Sequence, residues 1–278
     1  MLYLHIGLHK TGTTFLQKAV FPLWQGIEYL PLDKLEYLTR MSDEVDYLLS
    51  REGLSGQNWM HKKDRDLCII RLARLFPDAR IIMSFRKHSG YIVSSYNQFL
   101  QKGGYLEFGD YFSLQGRDRF MSPDDFFFRD KIELVTQEFG HIPHVILHED
   151  IVGNLEKVID GLEAFMGGKG PAASKIKSRK FNRSVGHHPA KLLRFLNRYS
   201  RSELNPKGRY ELYHWRLRKL GLDPRSICQY ALKFLPDRPL LSASEIDALD
   251  NYYREDWQYV LAAARGELSQ DAVVATVN

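Results

Sequence analysis

The stretch that decides the fold is residues 1–17, MLYLHIGLHKTGTTFLQ. Residues 2–6 form a short apolar run interrupted only by Tyr3 and His5. Gly7, Lys10, Gly12 and the threonines at 11, 13 and 14 follow, and an apolar-periodic segment then opens with Phe15 and Leu16. This order predicts a buried strand, a glycine-containing loop and the first turn of a helix. A loop of that kind turns backbone N–H groups toward an anion, with a lysine and hydroxyls close by. A phosphate or sulfate group is the expected guest. Gly7 and Gly12 have the separation of the Walker A pattern G-x-x-x-x-G-K-[ST], but Thr13 follows Gly12 and the lysine lies two residues before it. The loop therefore has the physics of a phosphate site without the usual nucleoside-triphosphate sequence.

Beyond the loop the pattern alternates between short apolar runs and helical periodicity. Strands are expected over 27–30, 80–85 and 145–147, a strand or short helix over 47–49, and helices over 33–41, 63–76, 91–100, 122–139 and 155–166. Such alternation predicts an α/β fold, a three-layer sandwich with a central parallel sheet between helices. Ligands of such sheets bind beyond the carboxyl ends of the strands, which brings the loops starting at Gly7, Ser50, Arg86 and His148 toward one edge. From His187 onward the pattern is helical and ends in a long helix over 242–264, with Ile246, Leu249, Tyr252 and Trp257 facing inward. The expected organisation is one domain over 1–278: an α/β nucleotide-binding core over 1–166, a basic segment with C-terminal helices over 167–268, and a disordered tail over 269–278.

The formal charge of +5 and a pI near 9.0 favour anionic ligands, though charge alone does not separate a nucleotide from a nucleic acid or a polysaccharide. Cys68 and Cys228 lack metal or CxxC spacing, which argues against a disulfide framework and for a reducing, cytoplasmic location. The first apolar run is too short for a signal peptide, and no stretch approaches the roughly 20 apolar residues of a membrane span.

The order K-T-G-T-T at residues 10–14 resembles the 5′-phosphosulfate loop of sulfotransferases, and the wording HKTGTTFLQ is closest to bacterial members. A second resemblance is RKHSGYIVSSY, where Arg86 follows a strand and Ser94 lies eight residues later. In the family an arginine and a serine so placed bind the 3′-phosphate of 3′-phosphoadenosine 5′-phosphosulfate (PAPS), and the chemistry suits them, since a guanidinium gives paired donors to phosphate. His88 stands where many members have proline. The segment from Val145, with His148-Glu149-Asp150 and the helix after it, is similar to the family's Y-E-D-L turn, with His148 in the tyrosine's place. Leu249-Asp-Asn-Tyr-Tyr-Arg-Glu-Asp256 is similar to its C-terminal helix, whereas its glycine-rich R-K-G motif is absent.

The resemblance implies a P-loop NTPase-like fold and a PAPS-dependent enzyme. It would transfer the sulfuryl group to a hydroxyl or amine of an acceptor, preferably a carbohydrate, and leave 3′-phosphoadenosine 5′-phosphate (PAP). Lys10 would stabilise the leaving phosphate. Thr11, Gly12, Thr13 and Thr14 would hold the phosphosulfate through backbone N–H groups and the hydroxyls of Thr13 and Thr14, and Arg86 with Ser94 the 3′-phosphate. No metal is required. Glu52, in an S-x-E segment similar to that of bacterial members, is the candidate base, with His9 and His61 as alternatives. No acid occurs between Glu163 and Glu203 while ten Lys or Arg residues do. Either this is a solvated basic face, or Lys180 and Arg183, with Asn182 and Ser184, close over the nucleotide while other bases receive an anionic acceptor. The competing readings are a P-loop kinase using ATP and a basic nucleic-acid-binding protein, for which no recognition motif appears.

Overall fold

The computed structural model describes residues 1–30, 41–57, 59–116, 118–176, 187–228, 238–270 and 273. Strands β1 (Leu2–His5), β2 (Glu28–Leu30), β3 (Tyr47–Ser50), β4 (Arg80–Phe85) and β5 (His144–Leu147) form one sheet in the order β2-β3-β1-β4-β5. Every pair is parallel, as expected of strands separated by helices. The helices are α1 (Thr13–Phe15), α2 (Lys62–Leu75), α3 (His88–Gln101), α4 (Phe108–Tyr111), α5 (Arg129–Phe139), α6 (His148–Gly153), α7 (Leu155–Met166), α8 (His187–Tyr199), α9 (Trp215–Lys219), α10 (Pro224–Ser226), α11 (Ala243–Tyr252) and α12 (Arg254–Ala264). The helix begun by α1 widens at Leu16–Val20 into an i→i+5 turn. Among the described residues no helix is long and apolar enough to cross a membrane.

The chain divides into two compact units, where the sequence pattern suggests one domain. The first comprises Met1–His88, Phe126–Phe181 and Tyr252–Asn278; the second comprises Ser89–Asp125 and Asn182–Asn251. In the first unit, side chains alternate across the strands with period two. Tyr3, Leu48, Ile82 and Ile146 share a core with Leu16, Val20, Phe21, Val158, Ile159 and Leu162, so the helix after the loop and α7 cover one face. α5 packs on β4, and α12 packs on β5 and α5. In the second unit, buried Asn197 of α8 donates to the carbonyls of Leu100 and Gly104, each at 2.7 Å, and accepts from Tyr213 at 2.7 Å. One side chain thereby ties α8 to the last turn of α3 and to the residues just after it.

Two helices differ from the sequence pattern. The expected helix over 122–139 is a tight turn at Pro123–Phe126 followed by α5. Asp125 takes the Ser122 N–H at 2.8 Å and closes the turn, and the N–H groups of Phe128 and Arg129 donate to Asp256, so α5 begins where a distant carboxylate caps it. The expected long helix over 242–264 is broken at Tyr253 (φ −95°, ψ 18°) into α11 and α12. The break makes Tyr253 the fully buried residue and leaves Tyr252 exposed. On α2 the buried positions are Arg65, Ile69, Leu72 and Ala73, while Leu67 and Leu75 face solvent. The expected helix over 33–41 lies almost wholly outside the described residues. Of the expected tail over 269–278, Gln270 donates to the Gly140 carbonyl at 2.6 Å and Val273 is buried.

Candidate active site

The loops after β3, β1 and β4 lie side by side because the three strands are neighbours in the sheet. Adjacent strands stand about 4.8 Å apart, so three consecutive loops span roughly 10 Å of the sheet edge. The ladder runs past the strand ends: Ile6 N–H donates to Ile82 O at 2.9 Å and Arg51 N–H to His5 O at 3.0 Å. β1 connects to one side of the sheet and β4 to the other, so the crevice between them is the topological switch point, where parallel sheets hold ligands.

The β1 loop is shaped by two residues in the left-handed region. Gly12 has φ +96°, and Lys10, with a full side chain, has φ +68°. A Cβ on Gly12 would stand 2.6 Å from Ile151 Cδ1 and 3.6 Å from His148 Cδ2, so α6 packs directly on the loop. Thr11 and Thr13 are buried, and both hydroxyls turn to the Leu8 carbonyl, at 2.6 and 3.5 Å. They brace the loop from inside, whereas Thr14 and Lys10 are partly exposed. The first helical bonds are Phe15 N–H and Leu16 N–H to Gly12 O, so the N–H groups of Thr13 and Thr14 belong to the first turn. Of the paired threonines, then, Thr13 is buried and Thr14 is the partly exposed one.

Beside this loop, His9, Gln17, Arg51, Glu52, Gly53, Leu54 and Gln57 line a cavity of about 350 Å³. His9 is buried, and its Nδ1 lies 2.8 Å from Glu52 Oε2. A carboxylate only accepts, so Nδ1 carries the proton there and the imidazole holds one Glu52 oxygen. The Trp59 ring lies 6.5 Å from that of His9. Glu52 and His9 thus converge as candidates, while His61 is exposed at the start of α2 and does not line the cavity.

Beneath the loops runs a buried polar chain that the sequence pattern does not disclose. His5 Nδ1 lies 2.7 Å from Ser50 Oγ, and His5 Nε2 lies 2.7 Å from Ser84 Oγ. Gln17 Nε2 donates to Ser50 O at 3.0 Å and Ser50 Oγ at 3.1 Å. The three strand ends are thereby bolted together under Gly7, where a Cβ would stand 2.7 Å from His5 Nε2. Burial, with a smaller push from His144, lowers His5 to about 3, and burial lowers His144 to about 4. Both rings are neutral when folded and bind a proton when unfolded below the ordinary value of 6.5. The unfolded chain then holds more protons, so stability falls with pH from 6.5 toward 3 through His5, by about 1.4 kcal/mol per pH unit. His5→Gln does not titrate and is expected to remove that share of the slope, read from urea melts at pH 5 and pH 7. Equal slopes in both proteins would mean that His5 is already charged in the folded chain.

Arg86 follows β4 and is partly buried; burial draws its guanidinium below the ordinary value while Glu149 pushes it up. His148 is lowered by burial and then by Arg86, with Glu149 acting oppositely. His148 therefore neighbours both the Gly12 turn and Arg86, as expected of loops gathered at one edge of the sheet. Ser94 is half-buried on α3, within the second unit. Lys180 and Arg183 lie outside the described residues, as do Asn182 and Ser184. Of the other bases in the acid-free run, Lys169 pairs with Glu163 at 2.9 Å and Arg194 with Glu107 at 3.2 Å. Among the described residues no three His, Cys, Asp or Glu side chains cluster as metal ligands. Gln17, Arg51 and Gln57 line the cavity and are residues that motif reading did not select. No protein-family model and no curated protein matches the chain in sequence.

Proposed function

We propose that the chain is a P-loop-like sulfotransferase that moves the sulfuryl group of PAPS to an acceptor hydroxyl or amine, preferably on a carbohydrate. The observation that carries this reading is the order along the sheet edge: a carboxylate after β3, a lysine-bearing anion loop after β1 and an arginine after β4. That is the order in which acceptor, sulfuryl group, 5′-phosphate and 3′-phosphate would lie. Glu52 takes the acceptor proton as the new O–S or N–S bond forms, and the bond from sulfur to the bridging oxygen breaks. Lys10 meets the charge that develops on the leaving 5′-phosphate, backbone N–H groups of the loop hold its oxygens, and PAP departs. Arg86 holds the 3′-phosphate. His9 holds one oxygen of Glu52 and so orients the other. The Gly12 turn has no room for a Cβ against Ile151, so α6 holds the loop in the shape this reading needs.

A kinase is the second reading, and the lack of G-K-[ST] in the loop counts against it. Isothermal titration calorimetry separates the two. PAP is expected to bind without Mg²⁺, with a Kd of about 10 μM or tighter, roughly −7 kcal/mol. Binding of Mg-ATP with no binding of PAP would reject the proposal.

A further inference from the structure

The connection from β4 to α3 is Arg86-Lys87, and it is held at three points. Upstream, Phe85 is fully buried with its ring 5.0 Å from Phe128. In the middle, the Lys87 N–H donates to Glu149 Oε1 at 3.0 Å. Downstream, His88 Nε2 lies 2.8 Å from Asp256 Oδ2, and the ring is 1% exposed. That imidazole is boxed by aromatics: Tyr253 stacks at 4.4 Å and 4°, Phe128 at 4.3 Å and 28°, and Trp257 meets it edge-on at 6.0 Å. Asp256 also accepts from Phe128 N–H at 3.0 Å and Arg129 N–H at 2.9 Å.

Desolvating a carboxylate and an imidazole is unfavourable, and an apolar pair of similar volume often packs as well. Capping α5 accounts for Asp256 but not for His88. What His88 adds is a directional bond from α12 to the second residue after Arg86.

We infer that His88 and Asp256 form a positioning pair that fixes the backbone at Arg86, so that the guanidinium meets a nucleotide 3′-phosphate already in place. The inference rests on the PAPS reading above and adds a role for α12. The pair touches no ligand and acts through Arg86, by sparing the turn the ordering that binding would otherwise require.

Calorimetry with PAP and with AMP tests it, because the two differ only in the 3′-phosphate. The ratio of their affinities measures the contact at that group. His88→Leu is expected to lower the ratio about tenfold while AMP affinity moves less than about twofold. His88→Gln can donate to Asp256 from nearly the same place and restores the ratio. In an Arg86→Ala background, His88→Leu has no further effect on it. Should His88→Leu fail to fold, His88→Phe carries the same expectation, since it keeps a ring among Tyr253, Phe128 and Trp257 and offers Asp256 no donor. Equal losses for PAP and AMP, a Gln variant as impaired as Leu, or additive effects with Arg86→Ala each overturn the pairing. A wild-type protein that binds PAP no better than AMP overturns the PAPS reading itself.

Discussion

Replacing Glu52 by glutamine is expected to lower turnover about 10³-fold while PAP affinity changes by less than about twofold. The change is nearly isosteric. A glutamine Oε1 can still accept from His9 Nδ1, which lies 2.8 Å from the carboxylate in the native chain, so the wall of the cavity is kept. What is lost is the ability to take a proton. Because Glu52 follows β3 and the anion loop follows β1, the donor side is left untouched by the substitution. Stopped assays with labelled PAPS and a carbohydrate fraction of the source cell, run beside PAP calorimetry, read the two effects apart. Turnover within threefold of wild type (about 0.7 kcal/mol) would remove Glu52 from the chemistry and direct attention to His9.

Lys10→Gly is the second large effect, expected to cut turnover by about 10²–10³-fold without lowering stability. Lys10 occupies φ +68°, where a side chain is strained by roughly 1–2 kcal/mol. Glycine relieves that strain, and its greater freedom in the unfolded chain offsets much of the gain, so thermal midpoints should be equal or slightly higher. A stability-neutral change that removes most activity is the signature of a residue kept for its ammonium group. A marked fall in melting temperature would instead make Lys10 a structural residue. Retained turnover would exclude it from stabilising the leaving group.

Much of this architecture could be read in the chain. The loop at 7–14 was legible as a loop, because its two glycines fall between an apolar run and a helical pattern, and it lies between β1 and α1. β4 and β5 are short apolar runs with clear boundaries, and both stand where the pattern puts them. Helix ends were less legible. α5 starts at Arg129 and α12 at Arg254 because Asp256 caps the first and Tyr253 turns inward, and both are contacts between residues more than a hundred positions apart or choices of burial. Local propensity carries neither.

The site divides along the same line. Residue types and spacing alone determine that a loop carrying glycine, lysine and threonine follows β1 and that Arg86 and Glu52 each follow a strand, since strand, turn and helix are local events. Only the tertiary structure decides that β3, β1 and β4 are neighbours, which places Glu52 on one side of Lys10 and Arg86 on the other. It also decides that His9 meets Glu52, that His5 joins Ser50 and Ser84, and that His88 reaches Asp256. A histidine in a sequence is compatible with solvent, a ligand or a buried bond. The choice is made by which polar group the packed sheet and helices bring within 3 Å, where burial makes the bond obligatory.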